Sequence, residues 1–273
     1  MRSELYKVEG SGNDFLLGIG SWAERFVAEP DLARRLCDRR RGIGADGTLA
    51  LSADSERHAR VGYRNADGGA AGFCANGTRC AARAAVELLG CRTTLTVTTG
   101  WRDIAAVVKG SDVSLELPPP VAPPSRPAIA PPPVLTDILH LELGVPHLVA
   151  AVSGELFDLD LGALAPPLRG HTSLGPEGAN VNFFQPADDG SVAVRSWERG
   201  VEGETLSCGS GLVAVALVVM AERHTREVVV RPASGDLLRI EAIGDPPSGT
   251  TRLTGPARFI AEIHPSDELL AGL

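Results

Sequence analysis

The chain offers little from which a metal centre or a disulfide framework could be built. Its 273 residues include five cysteines and six histidines, yet no Cys-x-x-Cys or His-x-x-x-His pair occurs, so a structural zinc site has little support. The cysteines (Cys37, Cys74, Cys80, Cys91 and Cys208) are odd in number and scattered, which suits reduced thiols better than staples. Basic excess is also lacking: the net charge is −8, which argues against general affinity for nucleic-acid backbones or anionic membranes. No apolar run is long enough to span a bilayer, and Leu212 to Ala221 is only a buried-helix length. The opening residues, Met1 to Lys7, lack the apolar core of a signal peptide, so the cytoplasm is the expected compartment.

What is present is an ordinary globular composition, 44% hydrophobic and 22% charged, in a chain long enough for one or two domains. The clearest break runs from Leu117-Pro118-Pro119-Pro120 to Pro131-Pro132-Pro133, an extended connection that can form neither helix nor interior strand. On either side the sequence repeats itself weakly. Gly12-Asn13-Asp14-Phe15 precedes Gly144-Val145-Pro146-His147 by 132 residues, and Cys74-Ala75-Asn76-Gly77 precedes Cys208-Gly209-Ser210-Gly211 by 134. Gly42-Ile43-Gly44-Ala45-Asp46 precedes Gly178-Ala179-Asn180-Val181-Asn182 by 136. Three pairs in one order at nearly constant offset indicate internal duplication. The expected division is 1–118, joined by 258–273, and 119–257.

Strand-like alternation marks Thr94–Thr99, Ile104–Val108, Val113–Leu117, Leu148–Val152, Val192–Trp197, Val228–Arg231 and Leu237–Ile243. Helices are expected over Ala28–Arg40, Thr78–Leu89 and Leu212–Arg223. The last is apolar on every face and must be covered on all sides. The predicted fold is therefore α/β (α+β), each half a curved, mostly antiparallel sheet wrapped around one central helix.

Each of Cys74 and Cys208 then opens a helix at a Gly-containing segment. Free backbone N–H groups and the positive end of the helix dipole favour a thiolate there, the form that acts as base or nucleophile. Cys37, Cys80 and Cys91 read as buried packing residues. Asp46 and Asp67 read as turn residues, and the arginines Arg34, Arg35, Arg39, Arg40 and Arg41 as a solvated helix face.

Tyr63-Arg64-Asn65-Ala66-Asp67-Gly68 leads into Phe73-Cys74-Ala75-Asn76-Gly77-Thr78-Arg79-Cys80, and Trp197-Glu198-Arg199-Gly200-Val201-Glu202-Gly203-Glu204-Thr205 into Leu206-Ser207-Cys208-Gly209-Ser210-Gly211. With Gly10 to Phe15, Gly42 to Gly47, Val145-Pro146-His147 and Asn180-Val181-Asn182, these segments closely resemble the diaminopimelate epimerase family. The resemblance runs from about Ser11 to Gly211, with a weaker echo at Thr254-Gly255-Pro256-Ala257. It implies two pseudo-symmetric halves with the active site in the cleft between them. It implies inversion of an α-carbon of LL-diaminopimelate without pyridoxal phosphate, other cofactor or metal, in lysine and peptidoglycan precursor synthesis. One thiolate removes the α-proton while the other thiol delivers a proton to the opposite face.

By matching position, Cys74 and Cys208 are the catalytic pair. Asn13, Asn65 and Asn180 hold the polar ends of the substrate, and Arg199 grips its distal carboxylate. Backbone N–H groups at Ala75, Asn76, Gly209 and Ser210 receive the reacting carboxylate. Glu198 and His147 stand near the thiols, tuning them or positioning the amino group. Two departures from the family pattern bear on the substrate: Ala75 replaces the common Gly, and Val145 replaces the Asn of Asn-Pro-His. The expected partners are a small-molecule substrate (diaminopimelate) and a second copy of the chain as a homodimer, with no nucleic acid and no membrane. The rival readings are a two-cysteine racemase of histidine or a proline derivative, and a non-catalytic amino-acid-binding or thiol-redox protein.

Overall fold

In the computed structural model, which describes residues 4–246 and 249–271, the chain falls into two units: Met1–Leu115 with Gly255–Leu273, and Glu116–Thr254. The first opens with strands β1 (Leu5–Gly10) and β2 (Asn13–Gly18) and two short helices, α1 (Ser21–Ala28) and α2 (Pro30–Cys37). The single helix expected over Ala28–Arg40 is thus corrected. Pro30 has no N–H to give and suits only a first helical turn, and Glu29 before it sits at φ −120° and ψ 83°. One helix ends where the next begins.

The chain continues through β3 (Gly47–Ser55), β4 (His58–Asn65), the two-residue β5 (Ala70–Ala71), α3 (Ala75–Leu89), β6 (Thr94–Thr98) and β7 (Asp103–Lys109). Strand β8 (Asp112–Leu117) leads into the proline-rich segment, and no helix or named strand occurs between 118 and 134. There follow β9 (Leu135–Glu142), β10 (Pro146–Val152), α4 (Leu161–Arg169), β11 (Asn180–Pro186), β12 (Val192–Glu198) and β13 (Gly203–Thr205). Then come α5 (Gly209–Arg223), β14 (Glu227–Pro232), β15 (Leu238–Ile243) and β16 (Thr250–Pro256). Finally β17 (Arg258–Glu262) returns to pair with β1, and α6 (Asp267–Leu270) follows it. No helix among the described residues is long and apolar enough to cross a membrane.

Strand pairing follows one order twice. In the first unit β1–β2 is antiparallel, β2–β3 parallel, β3–β4 and β4–β5 antiparallel, β4–β6 parallel and β6–β7 antiparallel. In the second, β9–β10, β10–β11, β11–β12, β12–β13, β12–β14 and β14–β15 repeat those six orientations in turn. The long helix, α3 or α5, stands between the third antiparallel pair and the second parallel one in both.

The parallel pairs are buried on both faces, so consecutive residues are apolar rather than alternating. Phe15, Leu16 and Leu17 are all buried, as are Leu148, Val149 and Ala150. In the first unit Leu16 packs with Leu5, Phe26, Leu32 and Leu36 on the side of α1 and α2. Phe15 and Leu49 lie on the other side, against the first turn of α3: a Cβ on Gly77 would stand 3.1 Å from Leu49 Cδ2 and 3.4 Å from Phe15 Cζ. In the second unit Leu148, Val181 and Phe183 pack with Leu161, Ala165 and Leu168 of α4. Asn182 lies opposite, against the first turn of α5, where a Cβ on Gly211 would fall 2.0 Å from Asn182 Oδ1. Gly211 is what lets the helix approach so closely. Beyond it Leu212 through Met220 are buried on all faces, as the uninterrupted apolar run requires.

Candidate active site

In the first unit, β5 and the residues after it deliver Cys74 in extended conformation (φ −145°, ψ 115°) as the N-cap of α3. Its sulfur accepts the N–H of Gly77 at 3.4 Å and donates to Asn13 Oδ1 at 3.5 Å. Its carbonyl accepts both the N–H and the hydroxyl of Thr78, each at 2.8 Å, which pins the first turn. Ala75 and Asn76, the first helical residues, are buried, and Asn76 Nδ2 also reaches Asn13 Oδ1 at 3.4 Å.

Asn13 is oriented from behind. Its Nδ2 donates to Asp46 Oδ2 at 2.7 Å, which leaves its oxygen facing Cys74. Asp46 in turn takes Arg39 Nη2 at 2.7 Å, and Arg39 spans across to Asp14 at 2.7 and 3.1 Å. Burial alone would raise the Asp14 carboxyl, but Arg39 and Lys7 outweigh it and hold it down at about 2. Asp46 and Arg39, read from sequence as a turn residue and a solvated residue, are therefore the support of Asn13. Asp67 is a turn residue, accepting Gly69 N–H at 2.7 Å. Asn65 ends β4 opposite Gly47, next to Ala66, whose N–H meets the Asp46 carbonyl at 3.0 Å.

In the second unit Cys208, buried and extended (φ −102°, ψ 99°), is the N-cap of α5. Gly209 and Ser210 begin the helix, and Ser210 Oγ is 3.9 Å from the Cys208 sulfur. Asn180 opens β11 beside His147, and its side-chain oxygen accepts the Arg199 N–H at 2.8 Å. The Arg199 side chain pairs with Glu177 at 3.0 Å rather than with Glu198 or Glu202. Glu198 accepts the Thr205 hydroxyl at 2.5 Å across β12 and β13, and Glu202 takes Arg169 at 2.6 Å.

His147 is fully buried, and burial above all, then the positive charges of His140 and Arg199, lowers its pKa to about 3. It is a neutral imidazole. Its Nδ1 lies 3.2 Å from Asn182 Nδ2, Asn182 also donates to the Leu148 carbonyl at 3.1 Å, and Ser196 Oγ donates to Asn182 Oδ1 at 2.9 Å. Asn182 and Ser196 escaped the sequence reading. The available signal was β-strand alternation, which puts Asn180 and Asn182 on one face.

The remaining thiols are set apart. Burial pushes Cys37 and Cys80 each up to about 12, and Cys91 is raised by burial as well. Among the described residues no group of three or more His, Cys, Asp or Glu side chains is placed to hold a metal ion.

The chain is similar to known proteins. The model of the family described as "Diaminopimelate epimerase" matches residues 5–116 and 140–260. A diaminopimelate epimerase of Aquifex aeolicus is 32% identical over 280 residues, covering 98% of this chain and 99% of its own. One from Methanothrix thermoacetophila is 37% identical, covering 99% and 98%. Among solved structures, a putative phenazine biosynthesis PhzC/PhzF protein of Clostridium difficile superposes with a TM-score of 0.73 at 12% identity, covering 97% of this chain and 99% of its own. A hydroxyproline epimerase of Agrobacterium vitis, with trans-4-hydroxy-L-proline bound, gives 0.63 at 14% identity, covering 96% and 91%. At such identities these two show a shared mixed α/β fold and no more.

Proposed function

Because the chain belongs to the diaminopimelate epimerase family, and so to the isomerases, we propose that it interconverts LL- and meso-diaminopimelate with Cys74 and Cys208 as its two acid–base groups. The observation that carries this is that both thiols cap a long helix at the same step of one repeated strand order. We further infer that the two units are copies of one plan, each a curved sheet around its central helix.

In this reading one sulfur, as thiolate, takes the α-proton, so that a C–H bond breaks and an S–H bond forms. The carbanion then takes the proton of the other S–H on its opposite face, and the pair is left with its protonation exchanged. Each thiol must be stable in both forms. Cys74 has the partners for this, a donor in Gly77 N–H for the thiolate and an acceptor in Asn13 Oδ1 for the thiol. The reacting carboxylate gains negative charge as the proton leaves. The backbone N–H groups of Ala75, Asn76, Gly209 and Ser210, at helix starts, are suited to stabilise it.

Asn13, Asn65 and Asn180 bind the polar ends, with Glu198 and His147 near the second thiol's strands. Arg199 takes the distal carboxylate. Its present partner Glu177 is mostly exposed, and an exposed pair of this kind contributes little, so exchange for a substrate carboxylate costs little. Thiols held reduced fit a cytoplasmic enzyme.

The test is incubation with LL-diaminopimelate in heavy water, following deuterium at the α-carbon by NMR. Inversion coupled to exchange is expected, and Cys74→Ala and Cys208→Ala should each abolish it. Wild-type turnover in either variant would remove that thiol from the mechanism. A parallel panel with histidine and proline derivatives should show no turnover.

A further inference from the structure

We propose that Asn182 is a positioning residue that locks His147 in the tautomer with hydrogen on Nε2, keeping that N–H as a donor for an acceptor atom of the bound amino acid. The chain of deduction starts at a backbone carbonyl. Leu148 O can only accept, so the Asn182 atom 3.1 Å away is the amide nitrogen. Ser196 Oγ, 2.9 Å from the other end of the amide, donates to its oxygen. The Leu148 carbonyl fixes the amide orientation, and the Ser196 hydroxyl, able to donate or accept, fits it as a donor. The same Asn182 Nδ2 stands 3.2 Å from His147 Nδ1, and a nitrogen facing an N–H must offer its lone pair. A neutral imidazole with its lone pair on Nδ1 carries its hydrogen on Nε2.

That Nε2 is buried and has no hydrogen-bond partner among the described residues. A buried donor left unmet is costly, and folds retain one chiefly where a ligand will meet it. The first unit shows that the cost is not imposed by the fold. At the corresponding steps of its strands stand the apolar Phe15 and Leu49, and Tyr63, whose ring meets Phe15 edge to face at 5.8 Å. The backbone steps that hold His147 and Asn182 carry the apolar Phe15 and Leu49 in the first unit, so the His147–Asn182 pair is there for what it presents.

The identity of the ligand rests on the epimerase reading, but the tautomer does not. The deciding experiment is NMR of the full chain with 15N-labelled histidine and no ligand, the His147 signals being assigned by their loss in His147→Gln. A pyridine-like Nδ1 and a pyrrole-like Nε2 are expected, and the reverse pattern in the wild-type protein overturns the proposal without need of any further variant. In Asn182→Asp the carboxylate accepts from Nδ1–H, so the hydrogen of the neutral ring should move to Nδ1 and leave Nε2 without one. With it kcat/KM for LL-diaminopimelate should fall about 10- to 100-fold, the worth of one hydrogen bond to a charged partner. A folded Asn182→Asp protein that keeps the wild-type nitrogen shifts and kcat/KM also overturns it. If the tautomer is as stated but the wild-type protein turns over no diaminopimelate, the epimerase reading fails and the positioning assignment stands.

Discussion

Against the first turn of α3 lie Phe15 and Leu49, with Tyr63 packed on Phe15, whereas against the first turn of α5 lies Asn182, bonded to His147 and Ser196. Both helices are capped by a cysteine, and both have a glycine three residues on, Gly77 or Gly211. The backbone plan is common; the chemistry behind the thiol is not. In the first unit the polar chain that reaches Cys74 is the Arg39–Asp46–Asn13 relay, whose Arg39 is exposed. In the second it extends into the interior behind Cys208. One strand order met twice thus supplies two like helix ends and lets each be tuned by what is packed beneath it.

The largest expected effect treats the two ends as equal. Cys74→Ala and Cys208→Ala should each lower kcat for epimerisation by about 10²- to 10⁴-fold, the usual range for a lost acid–base group. A marked inequality would show that one thiol is a spectator.

The glycines separate the two units. Gly211→Ala drives a Cβ to within 2.0 Å of Asn182 Oδ1 and should destabilise the protein by roughly 1–3 kcal/mol. Gly77→Ala meets only the tip of Leu49 at 3.1 Å, and the gain in helix propensity of about 0.5–1 kcal/mol should nearly offset the contact. Thermal unfolding of the pair reads the difference directly. Equal losses would mean that α5 is free to lift off its strand.

Acid should also distinguish them. The pKa of His147 is lowered from 6.5 to about 3, so below 6.5 the unfolded chain binds a proton that the folded one refuses. The stability due to its neutral burial is whole above 6.5 and declines as pH falls toward 3, by up to about 1.4 kcal/mol per pH unit. His147→Phe, which copies Phe15, should flatten urea-midpoint curves in that window. Asp14 is lowered from 3.8 to about 2, so its contribution is whole above 3.8 and is lost as pH falls through 2. Asp14→Asn should change the curve only there. If His147→Phe leaves the slope between 6.5 and 3 untouched, the interior of the second unit is more open to water than its burial indicates.

The smallest effect concerns how tightly each polar anchor is held. Arg39 is tied to two carboxylates, while Arg199 has the exposed Glu177. Glu177→Gln should free Arg199 and lower KM for diaminopimelate by no more than about fivefold, with kcat unchanged. A rise in KM would make Glu177 part of the binding site instead of a stand-in for the ligand.

Much of this was legible in one dimension, because the informative signals were local. The Cys-x-x-Gly segments mark helix starts by capping chemistry, and Gly90, at φ 71°, ends α3 as a left-handed cap. The strands β6, β7, β8 and β14 alternate as half-buried strands do. The parallel pairs were harder to see: Phe15-Leu16-Leu17 and Asn180 to Phe184 are covered on both faces and carry no period of two. Helix α4 was hidden by Pro166 and Pro167, which read as breakers but stand inside it. The repeat offset taken from Gly42 and Gly178 pairs Asp46 with Asn182. Strand register instead sets His147 against Asn180 as Phe15 is set against Gly47, which pairs Leu49 with Asn182. Only that register exposes the exchange of Leu for Asn, and register is a matter of hydrogen bonds between distant segments. The support given to Asn13 by Arg39 and Asp46 was out of reach for the same reason.

The return of β17 to pair with β1 has a bearing on how the molecule is made. The second unit is one unbroken stretch, Glu116–Thr254, while the first is closed only by Gly255–Leu273. Arg79, wholly buried on α3, donates to the Pro256 carbonyl, and Arg83 to that of Ala257. These bonds cannot form until residues 256 and 257 have left the ribosome. The part synthesised first is completed last, and until then Arg79 and Arg83, on the helix that begins at Cys74, have Ser11 and Glu87 of their own stretch but not the carbonyls of residues 256 and 257.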